Sequence, residues 1–164
     1  MKRIILSTTL LLAIGLAACN HSDAPKPSTE EQAVLEEKNK DDMNSFISLF
    51  EIPATDISRA VNFYQNVLDV HIEQMEMPGM EMGIFPYENQ AVTGVIMKAE
   101  GCTPSAGGVT VYLNAGDDLQ PTLDKVEKNG GQILVPKTAH ADNSGFFALF
   151  LDTEGNRLGL NSPN

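Results

Sequence analysis

Asp56 and Asp118 stand 62 residues apart, and so do Asp69 and Gly131. Each Asp of the first pair precedes a run with apolar residues at helical spacing: Ile57, Ala60, Val61, Tyr64, Val67 and Leu68 in one case, Leu119, Leu123 and Val126 in the other. Asp is a good helix start, and Pro121 falls in a first turn, where its missing N–H costs little. Gly130-Gly131 supplies a left-handed stop. Before each helix lies an alternating run, "FISLFEIPAT" and "GVTVYLNAG". After the first come "VHIEQMEM", "MEMGIFP" and "AVTGVIMK"; after the second come "QILVP", "GFFALFL" and "RLGLNS". These read as strands separated by turns such as Pro78-Gly79 and "DTEGN". A strand, helix, strand, strand, strand order that occurs twice at a common offset is internal duplication. It predicts an α+β fold of two βαβββ modules.

The chain of 164 residues has room for one such domain. Its formal charge of −11 argues against nucleic acid as a partner, because phosphate binding needs a basic footprint. An acidic surface favours solubility and draws cationic ligands weakly.

Residues 1–18 are read as a signal peptide. "MKR" is cationic, and "IILSTTLLLAIGLAA" is apolar but too short for a comfortable membrane span. The run ends in Leu16-Ala17-Ala18-Cys19, which resembles the lipobox of bacterial lipoproteins. The resemblance implies cleavage before Cys19 and acylation there, palmitate included, with the chain anchored to a membrane of the cell envelope. Several acyl chains make such an anchor effectively permanent. Asn20 follows the cysteine, with no Asp to signal inner-membrane retention, so the outer membrane is expected, with the domain in the periplasm or at the surface. Residues 19–45 are polar, charged and rich in Pro, and read as the lipidated Cys and a flexible acidic tether. The domain then covers 46–164. Cys102 is the only other cysteine, which leaves no intrachain disulfide once Cys19 is lipidated. It reads as a small packed residue.

The stretches "IPATDISRAVNFYQNVLDV" and "DKVEKNGGQILVP…GFFALFLDTEGNRLGL" make the domain, from Ser48 to Ser162, resemble the vicinal oxygen chelate superfamily, the glyoxalase/bleomycin-resistance/dioxygenase fold. Asp69 departs from the family's usual Gly but tolerates the left-handed conformation. The resemblance implies sheets curled into a cup, with a ligand site against the face turned away from the helices. It also implies that modules pair within a chain or across a homodimer. In metal-dependent members, His, Glu or Gln at four sheet positions hold a divalent ion, which stabilises an enediolate or orients dioxygen. Here those positions fall on Leu49, Val111, Gly159 and near Met97; a one-residue shift offers only Phe50, Tyr112 and Leu158. None suits a hard cation, so no metal and no cofactor is expected. His21, His71 and His140 are too scattered to form a cluster.

If "DTEG" closes a tight hairpin, Gly159 opposes Ala148 and Asn161 opposes Phe146. The expected cleft is then walled by Leu49, Met97, Val111, Leu113, Phe146, Ala148 and Phe150, with Glu51 and Asn161 as its polar groups. An apolar hollow with few polar groups is the usual form of a small-molecule site. Glu51 among Leu and Phe would be desolvated and suited to act as a base or to pair a cationic ligand. Equally, it would lie hydrated near the strand edge, or bonded to Lys98 or Arg157. Met75, Met77, Met80 and Met82 read as an adaptable apolar lip or as gap-fillers. Lys137 and His140 lie on a loop that would cover the cleft or stay solvated. Three functions follow: a tethered binder of a small, partly apolar organic molecule; a metal-independent lyase or isomerase of the glyoxalase superfamily acting on a small oxo-acid, with Glu51 as catalytic base; or a structural role in the envelope.

Overall fold

The computed structural model describes residues 45–164. The signal peptide, Cys19 and the tether up to residue 44 lie outside the described residues. The first module runs β1 (Leu49–Pro53), α1 (Ile57–Leu68), β2 (Glu73–Met77), β3 (Met80–Ile84) and β4 (Thr93–Ala99). The second runs β5 (Tyr112–Asn114), α2 (Gln120–Lys128), β6 (Gln132–Ala139), β7 (Phe146–Leu151) and β8 (Arg157–Ser162). Each module makes a four-stranded mixed sheet, ordered β1-β4-β3-β2 and β5-β8-β7-β6, with the first strand parallel to its neighbour. The duplicated α+β architecture is therefore as the sequence pattern predicts.

α1 begins where Asp56 accepts the N–H of Arg59, and ends at Asp69 with φ 54°. Its apolar stripe (Ile57, Ala60, Val61, Phe63, Tyr64 and Val67) is fully buried. α2 is shorter. Pro121 sits in its first turn, Asp118 accepts the N–H of Gln120, and the left-handed residue after it is Gly130 rather than Gly131. Gly131 answers another need: a Cβ there would lie 2.7 Å from the Leu151 carbonyl oxygen and 2.9 Å from the Phe63 ring.

One core unites the modules. Ile52 and Ile96 of the first sheet and Leu113, Ala148, Phe150, Leu158 and Leu160 of the second bury against the helices. Phe63 of α1 reaches Phe150 of β7, with ring centroids 6.1 Å apart. Both sheets thus turn one face to the helices and leave the other open. On the first sheet the register sets Leu49, Glu51, Pro53, Val95, Met97 and Met82 on the open side, each exposed or half-buried.

The turn between β7 and β8 locks the two modules together. Asp152 is buried and accepts the N–H groups of Glu154 and Asn156 with one oxygen; its other oxygen accepts the Tyr64 hydroxyl (2.6 Å) and the Asn156 amide. Burial and the Asp152 carboxylate raise the Tyr64 phenol well above its ordinary range. Glu154 reaches across to the start of α1. It accepts the N–H and hydroxyl of Thr55 (both 2.7 Å), the N–H of Asp56 (3.1 Å) and the Arg59 guanidinium (2.7 Å). Burial alone would raise the Glu154 carboxyl, but the donors from Arg59 and Thr55 outweigh it and hold it at about 2. A carboxylate on the free N–H groups of a helix start also meets the positive end of the helix dipole.

Candidate functional site

Two corrections to the expected cleft come from single-residue shifts. The hairpin loop is one residue longer than "DTEG", because Asp152 and Pro53 capture Asn156 before it can join β8. Leu149 therefore opposes Gly159, and Phe147 opposes Asn161. A slip of one residue moves a strand's whole side-chain set to the other face. Phe146, Ala148 and Phe150 accordingly face the helices, and they do not wall a cleft. The second shift lies between β5 and α2. Ile52 precedes the buried Ile57 by five residues, whereas its counterpart Leu113 precedes the buried Leu119 by six. Gly116, at φ 72°, accommodates the extra residue. Leu113 is consequently buried in the core, and Val111 packs partly against it.

Leu49, Glu51 and Met97 do share the open face of the first sheet, with Glu51 directly beside Val95. Asn161 lies on the open face of the second. The expected residues are therefore divided between two faces. Glu51 is exposed rather than set among Leu and Phe. Lys98 pairs with Glu81 instead, and Arg157 donates to the Thr110 hydroxyl (3.1 Å) and the Gly108 carbonyl (3.2 Å).

Two hollows lie where the modules meet. One of about 210 Å³ is lined by Glu51 and Pro53 of β1, Ser105, Val109 and Val111 of the linking segment, and Arg157 of β8. Its lining holds one carboxylate and one guanidinium, with polar groups of Thr103, Ser105 and Asn156 beside the apolar Pro53, Val109 and Val111. The other, about 430 Å³, lies among Phe50, Phe85, Gln90, Asn114 and Thr122. Its lining carries no charged side chain, so the smaller hollow has the stronger chemistry. Neither was legible in the sequence, because each depends on how one module sits against the other.

On the second sheet's open face His140 and Asn161, expected separately on a covering loop and in the cleft, are brought together. His140 Nε2 lies 2.8 Å from Asn161 Oδ1, and the imidazole is tilted over Phe147, with ring centroids 5.1 Å apart. Lys137 is held elsewhere, by Asp118 (2.7 Å) and over the Phe146 ring (4.7 Å). His71 is exposed beside β2.

A divalent cation does not fit the positions that hold one in metal-dependent members of the family resembled. Leu49 and Met97 offer no hard donor. With the extra residue counted, the position first placed at Val111 falls on Thr110, whose hydroxyl is committed to Arg157. Gly159 is covered: a Cβ there would lie 2.2 Å from the Tyr112 ring, so the aromatic side chain occupies the space a ligating Glu would need. Among the described residues no three His, Cys, Asp or Glu side chains converge as a metal-binding group.

Comparison with known proteins identifies the family and the fold. Residues 46–160 match the model of the Glyoxalase/Bleomycin resistance protein/Dioxygenase superfamily. A glyoxylase-like domain-containing protein from Didymella fabae is 36% identical over 115 residues, covering 67% of this chain and 88% of its own. Among solved structures, the antibiotic-binding protein TnmS3 from a Streptomyces species aligns with a TM-score of 0.59 at 20% identity, over 73% of this chain and 97% of that one. Glyoxalase I from Zea mays aligns with a TM-score of 0.55 at 19% identity, over 70% of this chain; this chain spans 44% of that enzyme.

Proposed function

The chain belongs to the glyoxalase/bleomycin resistance/dioxygenase superfamily, and from that premise we propose that it is an envelope-anchored binder of a small, partly apolar organic molecule. The carrying observation is the hollow of about 210 Å³ beside the first sheet's open face, where Glu51 and Arg157 flank Pro53, Val109 and Val111. The carboxylate selects a cationic or hydrogen-bond-donating group, and the apolar surfaces of Leu49, Val95 and Met97 take the remainder of the ligand. The antibiotic-binding relative in the same fold is in keeping with sequestration. The hollow is smaller than most sites for drug-sized ligands, which run to roughly 300–1,000 Å³. A second copy laying its open sheet face over this one would enlarge and close the site, so the working form is taken as a homodimer. The anchor is the lipid on Cys19.

The test is a thermal-shift panel of amphiphilic cations, sugars and oxo-acids, since a ligand that binds only the folded state raises the unfolding midpoint. An amphiphilic cation is expected to raise it by several degrees in the parent and by much less in Glu51→Gln. A shift that Glu51→Gln leaves intact moves the site elsewhere. The second reading is a metal-independent lyase or isomerase on a small oxo-acid. Its support is the accessible Glu51 carboxylate, which among the described residues has no ion-pair partner. Turnover that vanishes in Glu51→Gln while binding persists would select that reading over simple binding.

A further inference from the structure

We propose that Met75, Met82 and Met97 form a binding site for a soft monovalent metal ion, Cu(I) or Ag(I), on the open face of the first sheet. Met75 is paired directly with Met82 across β2 and β3, and Met82 directly with Met97 across β3 and β4. Directly paired residues project to the same side, on strands about 5 Å apart. The three thioethers thus form one row across three strands. Met77 and Met80 are paired in the next row, so five of the chain's seven methionines share this face.

The fold does not call for them. β-Branched and aromatic residues suit strands better, and Met earns its place chiefly as a flexible filler of irregular cores. These side chains fill no core. Met75 and Met77 are 43% and 40% exposed, while Met80, Met82 and Met97 are half-buried. A row of methionine residues paired across three strands at the surface matches the preference of soft thioether donors for Cu(I) and its relatives, and leaves hard divalent ions unbound. The row below it reads Glu73, Ile84, Val95, Glu51. Carboxylates at both ends of that row lower the local potential and favour an approaching cation. A thioether carries no proton at any ordinary pH, so binding here needs none released, unlike binding by imidazole or thiolate.

The probe is Ag(I) alone, titrated into the full chain with its thiols blocked by N-ethylmaleimide, which removes Cys102 as a competing soft donor. One equivalent is expected to shift the methyl signals of Met75, Met82 and Met97 in a spectrum of methyl-labelled methionine. Affinity should hold steady from about pH 7.5 to about 5.5, where histidines become protonated. Met82→Leu, the centre of the row, is expected to weaken binding by about tenfold or more, and the triple Leu variant to abolish it with an unchanged unfolding midpoint. Met77→Leu with Met80→Leu should leave it nearly intact. Parent-like affinity in the triple variant, loss of binding as histidine protonates, or equal dependence on the second row would each overturn the assignment. Leu keeps the wall apolar, so binding of an organic molecule in these variants is a separate readout.

Discussion

The two modules share a strand order and a helix placement, yet their helices begin differently. α1 is capped twice, by its own Asp56 and by Glu154 of the other module. α2 has only the Asp118 bond to Gln120 and a bond from Leu119 N–H to the Ser162 hydroxyl. Among the described residues no carboxylate from the β3–β4 connection returns the favour. Duplication therefore produced two similar units, and one of them supplies the latch. Their open faces have diverged as well: methionine and carboxylate on the first sheet, His140, Asn161, Tyr112 and Phe147 on the second.

The sharpest way to break the comparison is at the latch. Glu154→Ala should destabilise the fold by roughly 2 kcal/mol in urea unfolding, since it removes four hydrogen bonds that tie the β7–β8 turn to the start of α1, whereas Asp118→Ala should cost about 1 kcal/mol or less. The same carboxylate sets an acid limit. Its folded pKa, about 2, lies below the usual value near 4.5 of a free Glu. The stability it contributes is therefore fully present above about pH 4.5 and is lost as pH falls towards 2. Glu154→Gln should flatten that part of the stability–pH curve, and an unchanged curve would show that the latch contributes little.

Tyr64→Phe comes next. It removes the buried hydroxyl from Asp152, which keeps its bonds to Asn156 and Glu154. A loss of about 1–2 kcal/mol is expected in the same unfolding assay, with the β7–β8 turn intact by amide hydrogen exchange.

The smallest effect compares two glycines. A Cβ at Gly94 or at Gly159 would strike an aromatic ring at 2.2 Å, Phe50 in the first module and Tyr112 in the second. Phe50 is packed against the core and against Phe85, so it yields little; Tyr112 is 48% exposed and can swing outwards. Gly94→Ala should thus cost about 1 kcal/mol and Gly159→Ala about 0.5 kcal/mol or less, read as a difference in thermal midpoints. Equal losses would mean that Tyr112 is as firmly held as Phe50.

Element types and helix faces were legible because each is written in a local period. The stripe from Ile57 to Val67 buries as its spacing predicts, and Asp56 caps as its position predicts. The candidate site was legible only on the first sheet, where Leu49, Glu51 and Met97 do share a face. On the second sheet Leu113, Phe146 and Phe150 were placed on the wrong side. Side-chain direction in a strand has a period of two, so one uncounted residue at Gly116 or at Asn156 reverses it. Nothing in the local pattern marks whether Asn156 pairs in a strand or is captured by Asp152 and by Pro53, which is 103 residues away.

By itself, then, the sequence determined the duplicated plan, the start and stop of α1, and the lack of a hard-cation donor at Leu49, Met97 and Gly159. Tertiary structure alone decided which way β7 and β5 face, that Glu51 and Arg157 line one hollow, and that the methionines align in a row. The physical reason is reach: propensity and capping act over a few neighbouring residues, whereas register and module contact are set by bonds between groups distant along the chain.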